Sequence, residues 1–226
     1  MRELTYIHYK HDHNMTEEAF EELYLSVEQF KRFLSSVPKL EIFHTQYHKL
    51  SPMTPYQWQV YFAFIYYTCI RPGAEALRIK KKDINLETRI ITATNKKGGF
   101  KKTTIPPPLL EVLKQYLKHF KDDDYLFSGS RQSFWNYTKK IGELARIKYF
   151  EEFEKRTTEG LYLYVFKHAY IQRLEMEGCP GSLISIKSRH RPDGRMARQT
   201  VNYAKSLRGL KIWEQQHITE RLDIIG

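Results

Sequence analysis

Residues 188–205, SRHRPDGRMARQTVNYAK, combine basic side chains with a histidine and a tyrosine. These residue types can carry out phosphate chemistry without a metal ion, because arginines hold phosphate oxygens and a tyrosine hydroxyl becomes a nucleophile where nearby cations favour the phenolate. His190 stands near the start of the segment and Tyr203 near its end. Either the segment only binds phosphate, or His190 and Tyr203 act on the phosphate that the arginines bind.

Other kinds of phosphate chemistry need residues that this sequence does not group together. A metal nuclease needs clustered carboxylates, and the acidic residues do not cluster beside the basic segments. The chain lacks a glycine-rich phosphate loop, and the histidine-rich residues 8–13 have no second cluster with metal-ligand spacing. We therefore expect neither a metal nor a cofactor. A metal nuclease, which EDTA would inactivate, is kept as the weaker alternative.

The composition favours a folded protein that binds a polyanion. The formal charge is +11, from 37 Lys and Arg against 26 Asp and Glu, and nucleic acid is the leading partner for such a surplus. With 41% hydrophobic and 14% aromatic residues, the chain is too apolar for a disordered basic tail. Its most apolar run, residues 60–70, is too short to cross a bilayer, and the two cysteines form no CxxC pair. We expect a cytoplasmic, nucleoid-associated protein that binds nucleic acid and no membrane.

The elements that must position these residues form a mostly helical α+β domain with one small antiparallel hairpin. Ser26 is a candidate N-cap for an amphipathic helix that Pro38 ends. Residues 56–70 are apolar nearly all round, which predicts a buried helix leading directly into Arg71. The β-branched residues on both sides of a Gly-Gly pair predict a hairpin over residues 89–106. Further helices are predicted over residues 109–120, 134–147, 161–178 and 196–208.

The turn after the buried helix carries the first of several family motifs. TCIRPGAEALRIKKKDINL, residues 68–86, resembles the first arginine motif of the tyrosine recombinase, or phage integrase, family. The resemblance assigns Arg71 as the catalytic arginine and Glu75 as the acid that supports it. Cys69 replaces the usual glycine, and the spacing from Arg71 to Glu75 is one residue longer than in the commonest form.

The predicted hairpin carries the second motif at its turn. Counting on from Asp83 without a gap places Lys96 where the family has its catalytic lysine. Lys97 follows directly and is the alternative for the catalytic lysine; with Lys96 preferred, Lys97 is assigned to DNA phosphate binding.

The third motif is YVFKHAYIQRLEMEGCPGSLISIKSRH, residues 164–190, which resembles the family's His-x-x-Arg-His box and the segment that follows it. Tyr164 stands in place of the usual histidine, and Lys167 in place of the usual arginine. His168 resembles the supporting histidine of this box, and His190 fits the next catalytic histidine. Farther on, Thr200 and Tyr203 reproduce the Thr-x-x-Tyr of the nucleophile motif, so that the resemblance spans roughly residues 26–205.

The resemblance implies a site-specific recombinase that binds double-stranded DNA and cleaves and rejoins it through a 3′-phosphotyrosine, without metal or cofactor. Tyr203 would be the nucleophile, Arg71 and Lys167 would hold the non-bridging oxygens, and His190 would donate a further hydrogen bond. Lys96 would protonate the leaving 5′-oxygen, because an ammonium group can give up a proton more readily than a guanidinium group. The remaining cations of the set would bind DNA phosphates: Lys97, Arg189, Arg191, Arg195 and Arg198.

Two alternatives share much of this interpretation. Tyr164 and Lys167 also suit a catalytically impaired relative that binds DNA without cleaving it. A type IB topoisomerase uses the same chemistry to relax supercoils and would need no sequence-specific site.

The resemblance also predicts how the chain is organised. Residues 1–25 are expected to be a lead-in or linker, and residues 26–226 an integrase-like catalytic domain, without the family's usual N-terminal core-binding domain. The C-terminal tail, residues 206–226, is expected to dock on its own domain or on a neighbouring protomer. Self-association on DNA through this tail follows from the resemblance.

Overall fold

The computed structural model describes residues 25–40, 53–73, 75–94, 99–147, 165–188 and 200–225, with the backbone alone at residue 131 and through residues 200–206. Seven α-helices lie within these ranges, and short 3₁₀ turns cover Val37–Lys39, Ala76–Arg78, Lys81–Asp83 and Leu117–His119. The helices are α1 Val27–Ser36, α2 Pro55–Thr68, α3 Pro107–Tyr116, α4 Arg131–Leu144, α5 Val165–Met176, α6 Gly181–Ser188 and α7 Thr200–His217. The predicted α+β class, mostly helical with a small antiparallel sheet, is confirmed.

The first two helices begin at reciprocal capping boxes. The Ser26 hydroxyl accepts a hydrogen bond from the Gln29 backbone N–H at 3.1 Å, and the Gln29 side chain accepts one from the Ser26 backbone N–H at 2.8 Å. Thr54 and Gln57 make the same pair of bonds at the start of α2. Each box satisfies backbone donors that the first helical turn would leave without a partner. The helix start predicted at Ser26 is confirmed.

Helix α2 forms the centre of the core, as its all-round apolar sequence predicts. Every residue from Trp58 to Thr68 is buried. Aromatic rings from neighbouring helices pack around it, with Phe30 stacked on Tyr66 at 4.0 Å between centroids and Phe134 tilted against Tyr61 at 4.3 Å. Within the described ranges, no helix combines the length and the apolar character that a membrane span needs.

The sheet contains the predicted hairpin and one additional short strand. Strands β1 (Ile84–Asn85), β2 (Ile90–Thr94) and β3 (Phe100–Thr104) are antiparallel and adjacent in that order. In the hairpin, Ile91 pairs with Thr103 and Thr94 pairs with Phe100. The strand ends that lie away from the turn enter the core, where Thr103 and Thr104 are both buried. The hairpin predicted over residues 89–106 is confirmed.

Helix α7 is longer than the predicted helix over residues 196–208. It runs without interruption from Thr200 to His217, so that the first part of the predicted tail belongs to the same helix as Tyr203. The residues after it pack on the same domain, because Leu210, Ile218 and Leu222 are buried and the Gln59 side chain donates a hydrogen bond to the Ile224 carbonyl at 2.9 Å. Of the two predicted docking modes, the structure shows the intramolecular one. Self-association through the tail stays a prediction.

Candidate active site

Arg71 lies on an exposed turn directly after the buried helix α2. Cys69 ends the helix in the left-handed region, with φ of 53° and ψ of 21°. The Thr68 hydroxyl then accepts a hydrogen bond from the Ile70 backbone N–H at 3.2 Å. A left-handed residue is a common way to terminate a helix, and it turns the chain away from the helix axis. The chain therefore passes from a fully buried residue, Ile70, to an exposed one, Arg71.

Glu75 braces this turn through the backbone of Arg71. Its carboxylate Oε2 accepts a hydrogen bond from the Arg71 backbone N–H at 3.2 Å. The backbone N–H groups of Glu75 and Ala76 both donate to the Arg71 carbonyl, each at 3.2 Å. Because Glu75 is only 2% exposed, the brace comes from the buried side of the turn. The residue predicted to support Arg71 is thus placed against it.

Helix α5 packs against the same turn at the position of Lys167. The Cys69 Sγ lies 3.8 Å from the Lys167 carbonyl oxygen, within the range of a weak thiol hydrogen bond. The structure therefore brings together the Arg71 turn and the first helical turn of α5, which are 98 residues apart in the chain. The side chains differ in solvent exposure: Arg71 and His168 are exposed, whereas Lys167 is only 7% exposed.

Strand β3 ties the Arg71 turn to helix α6. The Thr103 hydroxyl donates a hydrogen bond to the Thr68 carbonyl at 3.0 Å. The next residue, Thr104, accepts from Lys187 Nζ through its carbonyl at 3.1 Å and through its hydroxyl at 2.9 Å. Successive strand residues point to opposite faces, which lets one strand contact two helices in this way.

Several predicted site residues lie outside what the structure describes. Tyr203 lies on helix α7, but its side chain is outside the described part. The structure thus locates Arg71, Glu75, Lys167 and His168 in full. The predicted residues that fall outside the described ranges are Lys96, Lys97, Tyr164, Arg189, His190, Arg191, Arg195 and Arg198.

The basic run before β1 is partly neutralised by an acidic loop. Lys80 Nζ and Lys82 Nζ lie 3.4 Å and 2.6 Å from the same oxygen of Asp123. The hydrogen bond from Lys82, followed by that from Lys80, holds the pKa of Asp123 below its usual range. Arg71 is outside this exposed charge cluster. Across the described residues, no three His, Cys, Asp or Glu side chains group as metal ligands.

Comparison with known proteins identifies the architecture around these residues. The chain is 30% identical to the tyrosine recombinase XerA of Pyrococcus furiosus over 135 residues, which are 55% of this chain and 42% of the relative. The solved XerH site-specific recombinase, bound to difH substrate, matches 85% of this chain and 55% of its own, at 20% identity and a TM-score of 0.55. This chain has the catalytic-domain fold of tyrosine recombinases. The integrase of mycobacterium phage Brujita has the same fold, with a TM-score of 0.57 and 14% identity over 90% of this chain and 63% of its own.

The catalytic-domain fold that the motif resemblance predicts is confirmed. No family model matches the chain. The chain spans about half the length of the relatives named above.

Within this fold, sequence reasoning missed a buried ionic network. Lys187 Nζ lies 2.8 Å from Glu214 Oε1, and these side chains are 0% and 1% exposed. The Tyr170 hydroxyl donates to the same carboxylate oxygen at 2.9 Å. Burial, together with the neighbouring Glu214, raises the pKa of Tyr170 well above its usual range. The sequence does contain a sign of this network. Lys187 follows Leu183 and Ile184 at helical spacing, which places a charged residue on the apolar face of a helix.

A second missed network holds the residues that follow α7. Arg173 on α5 donates to both carboxylate oxygens of Glu220, with the Nη2 to Oε2 distance at 2.8 Å. The Tyr67 hydroxyl donates to Glu220 Oε1 at 2.6 Å. Burial alone would raise the pKa of Glu220, but the hydrogen bonds and the charge of Arg173 bring it below its usual range. The charged pair therefore fastens the tail to helices α2 and α5.

Proposed function

We propose that this chain is the catalytic domain of a site-specific DNA recombinase or integrase that cleaves and rejoins strands through Tyr203. The Tyr203 oxygen attacks a phosphodiester, a bond from this oxygen to phosphorus forms, and the bond from phosphorus to the 5′-oxygen breaks. The products are a 3′-phosphotyrosine and a free 5′-hydroxyl. Attack by a 5′-hydroxyl from a second strand reverses the step and frees Tyr203.

The observation that carries this proposal is the exposed Arg71 on a turn braced from three directions. The Glu75 carboxylate accepts a hydrogen bond from the Arg71 backbone N–H, and the Thr103 hydroxyl donates one to the carbonyl at the end of α2. The Cys69 thiol contacts the carbonyl of Lys167. A cation fixed in advance of the reaction stabilises developing charge more effectively than one that must reorganise. In this proposal Arg71 binds a non-bridging oxygen of the scissile phosphate.

In this proposal Lys167 takes the place of a second arginine and binds the phosphate less strongly than an arginine would. Arginine can bind two phosphate oxygens with a rigid fork, whereas lysine offers a single charge on a flexible stem. Losing one well-placed donor to an oxyanion lowers the rate by about 10²- to 10³-fold, and lysine retains part of that stabilisation. We propose Lys96 as the acid for the leaving 5′-oxygen and His190 as a further donor to the phosphate, with His168 in a supporting position beside Lys167.

A covalent-trapping experiment tests the proposed chemistry. The probe is a pool of nicked duplexes of randomised sequence, in which the short strand beyond the nick diffuses away after cleavage and leaves the protein attached. We expect a protein–DNA band that resists denaturation, that is lost in Tyr203→Phe and that persists in the presence of EDTA. Tyr125→Phe is the matched control, because Tyr125 is 58% exposed and lies in the loop after the acidic run. A band that survives Tyr203→Phe would refute the assignment of the nucleophile.

The arginine assignment is tested in the same assay. Arg71→Ala should slow formation of the covalent band by about 10²- to 10³-fold, because it removes a cation from the phosphate. Arg78→Ala is the control, since Arg78 is also exposed and lies on the short turn that follows Glu75. Equal effects of the two substitutions would contradict a specific role for Arg71.

The burial of Lys167 favours one alternative, a relative that binds DNA without cleaving it. A side chain only 7% exposed reaches a phosphate less readily than Arg71 does. This alternative predicts a retarded band in gel shift and no covalent product on the same duplexes. Relaxation of a supercoiled plasmid by the protein alone would instead support the type IB topoisomerase alternative.

A further inference from the structure

We propose that Lys187 and Glu214 are positioning residues, whose buried ion pair fixes helix α6 and the nucleophile helix α7 relative to each other. The inference rests on the proposed function, because its consequence is the placement of His190 and Tyr203. Neither side chain contacts DNA in this proposal.

The pair forms a junction, with directional bonds to Thr104 on β3 and to Tyr170 on α5. Lys187 Nζ binds Glu214 Oε1 at 2.8 Å, the Thr104 hydroxyl at 2.9 Å and the Thr104 carbonyl at 3.1 Å. It also lies 5.2 Å from the centre of the Tyr170 ring, a cation–π distance. The Tyr170 hydroxyl completes the junction by donating to Glu214 Oε1. One ammonium group therefore connects β3, α5, α6 and α7.

Each of these four elements leads to a predicted catalytic residue. Strand β3 begins at Phe100, four positions after Lys96 in the sequence, and α5 carries Lys167 in the turn before Tyr170. Helix α6 ends at Ser188, two residues before His190. On α7, Tyr203 precedes Glu214 by eleven residues, which is three helical turns and about 16 Å. The ion pair thus sits where the scaffolds of the proposed catalytic residues meet.

Stability alone does not explain a charged pair at this position. Removing two charges from water is costly, and well-packed apolar side chains of similar size often replace such a pair without loss of stability. A hydrogen-bonded pair differs from apolar packing in fixing both distance and direction, because its bonds weaken when the helices slide. The pair is therefore suited to holding α6 and α7 in one register.

The test separates positioning from stability with a double variant that buries no charge. Lys187→Met/Glu214→Gln keeps an acceptor for the Tyr170 hydroxyl, whereas Lys187→Met alone leaves the Glu214 carboxylate without its cation. We expect the single variant to lower the melting temperature by about 6–20 °C and the double variant to recover most of that loss. On a duplex that the wild-type protein cleaves, the double variant should form the covalent product about 10- to 100-fold more slowly. Its Kd for the same duplex should stay unchanged, because no DNA contact is removed.

The second buried pair provides a matched control. Arg173→Met/Glu220→Gln removes a comparable buried pair that joins α5 to the residues after α7 and does not involve α6. Its cleavage rate should stay close to that of the wild-type protein. The inference is overturned if the Lys187/Glu214 double variant regains the wild-type rate together with its stability. It is also overturned if both double variants slow cleavage equally.

Hydrogen exchange keeps this inference distinguishable from the proposed function. If the wild-type protein gives no covalent product, the proposed function fails, but the junction can still be measured. Backbone amides of residues 204–206, which have acceptors within α7, should exchange faster in Lys187→Met/Glu214→Gln than in the wild-type protein or in the control pair. Unchanged protection of these amides would overturn the positioning role.

Discussion

Replacing Arg173 by methionine should detach the residues after α7 and destabilise the domain. Arg173 binds both oxygens of Glu220 and also donates through Nε to Glu177 at 2.7 Å. The Arg173 and Glu220 side chains are 7% and 12% exposed. Arg173→Met keeps much of the apolar stem of the side chain. It leaves the largely buried Glu220 carboxylate without its cation.

The size of the effect follows from this burial. Breaking a buried pair by removing one partner typically costs about 3–5 kcal/mol, because the other charge stays uncompensated. In a domain of this size, 1 kcal/mol shifts the melting temperature by about 2–4 °C. We therefore expect Arg173→Met to lower the melting temperature by about 6–20 °C. The Glu177 bond alone contributes less, because the Glu177 side chain is 33% exposed.

Calorimetry and limited proteolysis measure the two parts of this prediction. The melting temperature reports the stability, and trypsin cleavage at Arg221 reports whether the tail has opened. Arg221→Met is the control for stability, since Arg221 is exposed beside Glu220 and should change the free energy of unfolding by less than about 0.5 kcal/mol. If Arg173→Met shifts the melting temperature no more than Arg221→Met does, the reasoning from the buried pair is wrong.

The same pair gives the stability a dependence on pH. The pKa of Glu220 is lower in the folded protein than its usual value of about 4.3. The stabilisation is therefore complete above the unfolded pKa and is lost as the pH falls through the folded pKa. Glu220→Gln should remove this part of the acid destabilisation. A melting temperature that falls equally steeply with acid in both proteins would contradict the assignment to Glu220.

Two further predictions concern the buried cysteines. Cys69→Val should destabilise the protein by about 1–3 kcal/mol, because a β-branched residue is strained at φ of 53°. Cys69→Gly should stay within about 1 kcal/mol of the wild-type protein, because glycine adopts this φ without strain. Equal unfolding free energies for the two variants in urea would contradict the argument from backbone strain. Burial, together with the charge of Glu214, raises the pKa of the Cys179 thiol to about 12. The native protein should therefore resist Ellman's reagent at pH 8, and both buried cysteines should react once the protein is unfolded. Rapid labelling of Cys179 in the native state would refute this prediction.

Local patterns in the sequence predict most of the elements because each depends on nearby residues. The N-cap at Ser26 and the largely apolar residues 56–70 are enough to place α1 and α2, since caps and periodicity act within a few residues. The hairpin follows from β-branched runs around a Gly-Gly turn. The length of α7 was underestimated, because helical continuation past residue 208 is stabilised by packing of Leu210 and Glu214 against the domain rather than by propensity.

For the candidate site, too, the sequence predicted some of the residues and the tertiary structure supplied their contacts. The order and spacing of Arg71, Glu75 and Lys167 singled them out from the sequence, and the structure places Glu75 and the first turn of α5 against the Arg71 turn. The substitution of Cys69 for glycine also acquires a physical meaning, because the position is left-handed and a side chain there contacts Lys167.

By itself, the sequence determined the fold class, the start of α1, the hairpin and the family resemblance, because these depend on side-chain type and on spacing along the chain. Only the tertiary structure decided which charges are buried and which partners they meet. Lys187 directly precedes the basic segment 188–205 in the sequence, yet it lies fully buried between Thr104 and Glu214. Arg71 and Lys167 are both cations of the proposed site, yet one is exposed and the other is buried. The reason is physical: the free energy of a charge depends on its solvent access and its neighbours, and both are set by elements that the chain brings together from far apart.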